Sequence, residues 1–142
     1  MLTIELPFPV SVNSYWQIAG RRLIKTKRAR AYIAEVTLYW LNAKMLGAQA
    51  FGEDETLALS IAVHYPTKRG PDPDIDNLSK VLIDAMETAG IYQNDRQIRF
   101  VQISREKAKD KTIGSVRVNI KACPHEMELN DRNFRVEEIH NE

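Results

Sequence analysis

The amino-acid sequence predicts a single α/β (α+β) domain in which two main helices pack on a small mixed β-sheet. Hydrophobic periodicities follow one another in the order strand, short strand, helix, strand, helix, strand, strand. The 142 residues match the length of one domain, and 44% hydrophobic with 27% charged residues is a composition typical of globular proteins. We therefore assign residues 1–122 to the domain and residues 123–142 to a polar C-terminal tail.

The first part of the chain predicts two strands and one helix. LTIELPF (2–8) alternates apolar and polar residues, which is the pattern of a strand with one buried face. Residues 9–20 predict a loop, and residues 21–26 predict a short strand. Apolar residues then recur at helical spacing and predict a helix over about residues 28–46.

The rest of the domain predicts a strand, a helix and two more strands. TLALSIAVHYP (56–66) alternates most clearly and is the best-supported strand. An i, i+3, i+4, i+7 stripe over residues 78–89 predicts the second helix, and Gly90 suits a left-handed C-cap. Residues 97–107 and 112–122 predict two strands joined by a polar turn.

The single cysteine, the N-terminal residues and the short apolar runs together indicate where the protein is located. Cys123 is the single cysteine, which excludes an internal disulfide and a cysteine zinc cluster. The N-terminus lacks a basic region and carries Glu5, so no secretory signal is predicted, and no apolar run is long enough to span a bilayer. We expect a cytoplasmic protein with no membrane partner.

Basic residues are concentrated in two places along the chain. Residues 21–30 contain six Lys and Arg, and no acid lies between Glu5 and Glu35. A run of this kind is most often solvated surface, but clustered Lys and Arg also displace the counterions of a phosphate backbone. The candidates for contact with such a polyanion are Arg21, Arg22, Lys25, Lys27, Lys68 and Arg69.

Three carboxylates alternate just before the second helix, at Asp72, Asp74 and Asp76. Like charges this close repel one another unless a cation lies between them. Asp76 before an apolar stripe is a good helix N-cap, which explains that acid alone. An EF-hand calcium loop that starts at Asp72 is excluded, because Asn77 stands at the position of the required Gly and Ile83 stands at the position of the bidentate Glu. An aspartyl phosphatase requires an apolar strand leading straight into the motif, and YPTKRGP intervenes.

The remaining interpretation is an oxygen-ligand site for Mg²⁺ or Mn²⁺. In extended backbone, Asp74 and Asp76 project to the same side with Cα atoms roughly 6.5–7 Å apart, so both can bind one hard cation. Lys80 follows Asp76 by one helical turn, where its ammonium can reach a bound phosphate. Such a site hydrolyses phosphodiesters, because the metal activates water and offsets the charge on the phosphorane oxygens.

The stretch PDIDNLSKVLIDAMETAGIYQND (73–95) resembles the signature of the RusA-type Holliday-junction resolvases, an Asp-x-Asp-Asn-Leu-x-Lys core followed by an Asp-Ala helix that ends in Ala-Gly. The N-terminal LPFPVSVNSYW is similar to the Leu-Pro-x-Pro opening of that family. The resemblance implies that Asp74, Asp76 and Asp95 bind the metal. It also implies that Lys80 is the catalytic lysine.

An activity and a substrate follow from the same resemblance. Family members are homodimeric, Mg²⁺-dependent, structure-specific endodeoxyribonucleases, often encoded by prophages. They resolve four-way DNA junctions by paired nicks in opposed strands during recombination and repair. Asp72 stands where the family tends to be basic, so it stays outside the implied catalytic set. Two other functions remain open: a catalytically silent dimer that binds branched DNA, and a flap or single-strand nuclease of the same fold.

The position of Asp95 raises a geometric question. A helix of about residues 77–89 rises ~20 Å, and the six residues from Gly90 to Asp95 span at most about the same length when extended. Asp95 therefore only just returns to Asp76 within one subunit. Completion of the site within one chain and completion across a dimer are both open at this stage.

Overall fold

The structure, a computed structural model, describes residues 1–67, 72–106 and 113–123. The predicted tail lies outside these ranges apart from Cys123. The helices and strands within them are β1 (Leu2–Pro7), β2 (Trp16–Ala19), β3 (Arg22–Lys25), α1 (Lys27–Met45), β4 (Thr56–His64), α2 (Ile75–Ala89), β5 (Ile98–Glu106) and β6 (Ser115–Cys123), with single turns of 3₁₀ helix at Val12–Ser14 and Asp95–Gln97.

β4 lies inside a four-stranded sheet whose order is β1-β6-β4-β5. It runs parallel to β5 and antiparallel to β6, and β6 in turn is antiparallel to β1. A parallel pair needs a crossover connection, and α2 supplies it between β4 and β5. The predicted class, one α+β domain with two helices and a small mixed sheet, is confirmed.

The structure differs from the prediction in the segment before the first helix. Residues 9–20, expected to be a loop, contain β2, which forms a separate two-stranded ribbon with β3. A strand of four residues is too short for its periodicity to be recognised, and pairing with β3 is what stabilises it. The strands predicted over 97–107 and 112–122 are present as β5 and β6, with β4 between them in the sheet, and the polar turn predicted to join them lies outside the described residues.

One hydrophobic cluster joins both helices to the four-stranded sheet. Alternate residues of β4 enter it, as the sequence pattern predicts, together with the apolar stripes of α1 and α2. Burying a large apolar side chain stabilises a fold by about 1.5–3 kcal/mol, so this cluster holds α2 firmly against the sheet. Its largest side chains include Trp40, Leu57, Leu59, Ile61, Leu78, Leu82 and Met86.

Local chemistry at the helix ends agrees with the sequence patterns. Thr26 Oγ1 accepts a hydrogen bond from Ala29 N at 3.1 Å and caps α1, which begins at Lys27. α2 ends at Gly90, whose φ of 91° lies in the left-handed region, as predicted. No helix in the described part of the chain is long and apolar enough to cross a membrane.

Gly114 lies where three segments approach one another closely. A Cβ atom at this position would lie 2.7 Å from Phe8 Cδ2, 2.7 Å from Pro66 Cδ and 2.8 Å from the carbonyl oxygen of His64. The proline ring and the backbone carbonyl cannot rotate away. The approach of the N-terminal segment to the end of β4 therefore requires a residue without a side chain.

Gly114→Ala is expected to lower the free energy of unfolding by about 1–3 kcal/mol, because the overpacked segments have to shift. Gly52→Ala is the matched control. No atom lies within 4 Å of its added Cβ and its φ is not positive, so its stability should change by less than about 0.5 kcal/mol. Urea unfolding measures both variants, and equal stabilities would contradict the close approach.

Candidate active site

The acidic segment enters α2 differently from the sequence-based expectation. Asp76 was predicted as the N-cap, which is wrong: the N-cap is Asp74, with extended backbone at φ −65° and ψ 144°, and Asp76 lies in the first helical turn. The first helical bond runs from Leu78 N to Asp74 O at 3.2 Å. Because the backbone changes from extended to helical after Asp74, the two acids are not alternate residues of one extended segment. The spacing assumed for them therefore does not hold.

Asp72 is engaged in a structural contact. Its carboxylate forms an ion pair with Arg105 at the end of β5, and the Arg105 guanidinium lies 4.3 Å from the ring centre of Tyr65. Tyr65 donates a hydrogen bond to the carbonyl oxygen of Pro73 at 2.8 Å. These contacts hold the acidic segment at the carboxyl ends of β4 and β5.

Burial raises the pKa of Tyr65, and Arg105 opposes this effect while Asp72 and Asp74 reinforce it. The carboxylate of Asp74 is thus close enough to influence the phenol, although it is exposed to solvent. The start of α2 is therefore an acidic site, and Tyr65 and Arg105 hold the segment before it in position.

The three predicted metal ligands have no side-chain partner in the part of the chain that the structure describes. Within the described residues, the carboxylates of Asp74, Asp76 and Asp95 form no hydrogen bond or ion pair, and all three residues are exposed. Carboxylate oxygens are the donors that Mg²⁺ and Mn²⁺ prefer, so the chemistry of these side chains fits a hard dication. In the described ranges, no three His, Cys, Asp or Glu side chains converge into a ready-made metal cluster.

A cavity of about 360 Å³ lies along the middle of α2. It brings two of the predicted site residues together, because Lys80 and Asp95 both line it, whereas Asp74 and Asp76 are not part of its lining. Lys80 is exposed, and in the described chain its ammonium has no ion-pair partner. The remaining lining residues are Val12, Tyr15, Trp16, Val81, Ile83 and Asp84.

The return of Asp95 to α2 answers part of the geometric question. The chain folds back at the end of α2 instead of extending, since Ile91 N donates to Met86 O at 3.1 Å and the Tyr92 hydroxyl donates to Ile83 O at 2.6 Å. Both Ile91 and Tyr92 are fully buried. Asp95 therefore reaches the cavity of Lys80 within one chain.

Asp84 forms a network that the sequence patterns did not reveal. The Tyr15 hydroxyl donates to Asp84 Oδ2, and Lys25 Nζ lies 3.1 Å from the same oxygen. Lys25 also lies 5.7 Å from the ring centre of Trp16. Tyr15 and Asp84 are 69 residues apart, and the only sequence signal was their presence in the two motifs that resemble the resolvase family.

Buried tyrosines report the electrostatics around the cavity. Burial, the hydrogen bond to Asp84 and the charge of Asp84 all raise the pKa of Tyr15. Burial also raises the pKa of Tyr92, and the charges of Glu87, Asp95 and Asp84 add to this effect. Asp84 is thus close to both phenols. Lys25 forms an ion pair with Asp84, and Lys80 lines the same cavity as Tyr15.

The predicted basic residues that the structure describes lie in the β2–β3 ribbon and at the start of α1. Arg21 and Arg22 are exposed at the tip of the β2–β3 ribbon, and Lys27 is exposed at the start of α1. Lys25 is half-buried in its pair with Asp84. Lys68 and Arg69 lie outside the described residues.

Comparison with known proteins agrees with these observations. The family model described as endodeoxyribonuclease RusA matches residues 7–121. The crossover junction endodeoxyribonuclease RusA of Shigella sonnei (strain Ss046) is 31% identical over 96 residues, which cover 68% of this chain and 75% of that protein. The protein of the same name from Aquifex aeolicus (strain VF5) is 31% identical over 115 residues, or 80% of this chain and 86% of that protein. The crossover junction endodeoxyribonuclease rusA of Enterobacteria phage HK97 is 26% identical over 100 residues, which cover 70% of this chain and 78% of that protein.

The raised pKa of Tyr15 predicts how stability changes at high pH. Its pKa is above the ordinary value of 10.0, so its contribution to stability is fully present below pH 10 and is lost as the pH rises through the folded-state pKa. Tyr15→Phe should lower the free energy of unfolding by about 1 kcal/mol at pH 7 through loss of the bond to Asp84. Above pH 10, the variant should lose stability less steeply than the wild type.

Urea unfolding between pH 7 and pH 12 measures both effects. Tyr39→Phe is the control, because Tyr39 is half exposed and makes no hydrogen bond among the described residues. This control should keep wild-type stability at pH 7. A Tyr15→Phe variant with the wild-type dependence on pH would contradict the assignment.

Proposed function

Because the chain belongs to the RusA endodeoxyribonuclease family, we propose that it resolves four-way DNA junctions by metal-dependent, paired nicks in opposed strands. The observation that carries the proposal is the shared cavity of Lys80 and Asp95 along α2. The carboxylates of Asp74 and Asp76, which pair with no described residue, lie at the start of the same helix. The names of the curated relatives support a crossover junction as the substrate.

We assign Asp74 and Asp76 as metal ligands and Asp95 as the third acid of the site. Bound there, Mg²⁺ (or Mn²⁺) would acidify a water and stabilise the charge that develops on the phosphodiester. Asp72 is left out of this set because its carboxylate is paired with Arg105. The approach of Asp95 to the other two acids, within one subunit or across a dimer, belongs to the proposal.

Lys80 has the properties of a group that acts on phosphate. Its ammonium is exposed, lines the cavity and has no carboxylate partner in the described chain. Asp84, one turn further along α2, is occupied by Tyr15 and Lys25. The network at Asp84 therefore leaves the charge of Lys80 available for a phosphate oxygen.

The basic residues supply the sequence-independent part of DNA binding in this proposal. Arg21, Arg22 and Lys27 are exposed, and Lys68 and Arg69 join them as candidates from the sequence. Each phosphate contact releases counterions, so binding should weaken as salt increases. A homodimer would present two such sites related by two-fold symmetry, which suits cleavage of two opposed strands.

The direct test uses a labelled four-way junction, a flap and a linear duplex of the same sequence. With Mg²⁺, the protein should nick opposed strands of the junction and leave the linear duplex intact, and chelation by EDTA should stop cleavage. Preferred cleavage of the flap would indicate a flap nuclease. Junction binding without cleavage in Mg²⁺ or Mn²⁺ would indicate a silent binding protein.

Asp76→Asn is expected to reduce cleavage by more than about a hundredfold, because loss of a metal ligand removes several kcal/mol of charge stabilisation. Junction binding should be retained or strengthened, since one carboxylate that repels phosphate has been neutralised. Asp74→Asn should behave in the same way. Asp72→Asn is the matched control and should change the rate much less, because Asp72 pairs with Arg105.

Single-turnover cleavage and gel-shift binding under saturating Mg²⁺ separate these effects. If the Asp76→Asn variant cleaves as fast as the Asp72→Asn variant, Asp76 is not a metal ligand of the site.

Lys80→Ala should slow single-turnover cleavage by about 10²–10³-fold, because its charge is needed only as the phosphodiester bond breaks. The free energy of unfolding should change by less than about 0.5 kcal/mol, since the side chain is exposed. Lys80→Arg should rescue only partly, because a planar guanidinium does not replace a compact ammonium. Lys44→Ala, an exposed lysine on α1, is the control. Normal cleavage by Lys80→Ala would show that Lys80 is a surface lysine without a role in catalysis.

A further inference from the structure

The β2–β3 ribbon carries an unusual apolar pair. Ile18 is 81% exposed and Leu23 is 63% exposed, and the two residues are opposite each other in the ribbon. Cross-strand partners share one face, so their side chains form a single apolar projection. Exposed apolar side chains on a two-stranded ribbon outside the main sheet indicate a surface that binds a ligand or partner molecule.

The apolar pair continues a wall of the cavity. Trp16 lies two residues before Ile18, and Lys25 lies two residues after Leu23, so all four side chains are on the same face of the ribbon. Trp16 lines the cavity together with Lys80. Residues two apart in a strand are separated by about 6.5–7 Å, which is about two base steps along a DNA strand. A strand bound at the cavity would therefore carry its next bases to the apolar pair.

The charge around the pair favours a nucleic acid as the occupant. Gly20, with a φ of 64°, forms the turn between the strands, and Arg21 and Arg22 are exposed beside it. No acid occurs in the sequence between Glu5 and Glu35. An apolar pair next to the two exposed arginines of the turn matches the way in which side chains such as Ile and Leu enter between base steps while cations hold the phosphates.

The base of the ribbon is held in place relative to the cavity. Lys25 Nζ lies 3.1 Å from Asp84 Oδ2 on α2, and Tyr15, directly before β2, donates a hydrogen bond to the same carboxylate. Tyr15 is only 1% exposed. These contacts give the projecting pair a defined position beside Lys80 and Asp95.

We propose that Ile18 and Leu23 form a wedge that enters the branch point of a four-way DNA junction and packs against its unstacked bases. The inference rests on the proposed junction-resolving function and extends it to substrate selection. At a branch point the base stack is already interrupted, so insertion there costs less than insertion into a continuous duplex. The wedge would thus select branched DNA and position the strand beside the cavity.

The experiment uses a four-way junction with 2-aminopurine at the branch point, in EDTA so that cleavage does not occur. Saturating wild-type protein should raise the fluorescence, because the probe is brighter when it is unstacked. The double variant Ile18→Ser/Leu23→Ser should lose this rise and bind the junction about tenfold more weakly, with unchanged affinity for linear duplex. Leu38→Ser/Met45→Ser is the matched control, since these α1 residues are 65% and 85% exposed and lie outside the ribbon.

A second variant separates insertion from charge. Arg21→Gln/Arg22→Gln should weaken binding to junction and duplex alike and flatten the salt dependence, while the fluorescence rise at saturation is kept. Cleavage with Mg²⁺ should fall in Ile18→Ser/Leu23→Ser on the junction, and melting temperatures should remain near the wild type because both side chains are exposed.

The outcomes distinguish the wedge from the function on which it rests. Wild-type protein that neither binds nor cleaves the junction overturns both. Normal wild-type cleavage, with the same fluorescence rise and the same cleavage in the serine double variant, overturns the wedge alone. If the double variant changes only the oligomeric state in sedimentation, the pair is a contact between copies of the chain, and the wedge is again overturned.

Discussion

Parallel pairing of β4 with β5 is the constraint on which the arrangement of the candidate site depends. Parallel strands need a crossover, and the buried stripe of α2 fixes that crossover on the sheet. Helix α2 has 15 residues and is about 22 Å long. Asp74 and Asp76 lie at its start, and Asp95 follows its end. Only because the chain folds back after Gly90 does Asp95 lie beside the middle of α2.

The pairing of Asp84 divides the charged residues into those that hold the structure and those available to a ligand. Asp84 is satisfied by Tyr15 and Lys25 and thereby attaches the β2–β3 ribbon to α2. Asp72 has a similar structural role with Arg105. The side chains of Lys25 and Asp84 are 27% and 31% exposed, so separating this pair would leave partly buried charges without a partner. The Arg105 side chain is 54% exposed, so its pair with Asp72 is expected to stabilise the fold less. Lys80 and the carboxylates of Asp74, Asp76 and Asp95 form no ion pair within the described ranges, and these are the groups that we propose for phosphate and metal.

This division also relates the candidate site to the surface next to it. The ribbon that contributes Trp16 to the cavity wall projects an apolar pair and two arginines beyond it. A wedge on a fixed support and a phosphate-binding cavity beside it would act on the same DNA strand. In this proposal, one local structure both recognises the branch and places the strand for cleavage, and the network at Asp84 connects its two parts.

The sequence by itself determined most elements of the fold and the family, because helical stripes, strand alternation and the residues of 73–95 are local patterns. The tertiary structure decided what depends on distant partners. β2 exists through pairing with β3, and β4 separates β5 from β6. Helix α2 starts after Asp74, and Asp84 meets Tyr15 across 69 residues. These features come from burial and hydrogen bonds between segments far apart in the chain, which no local periodicity records.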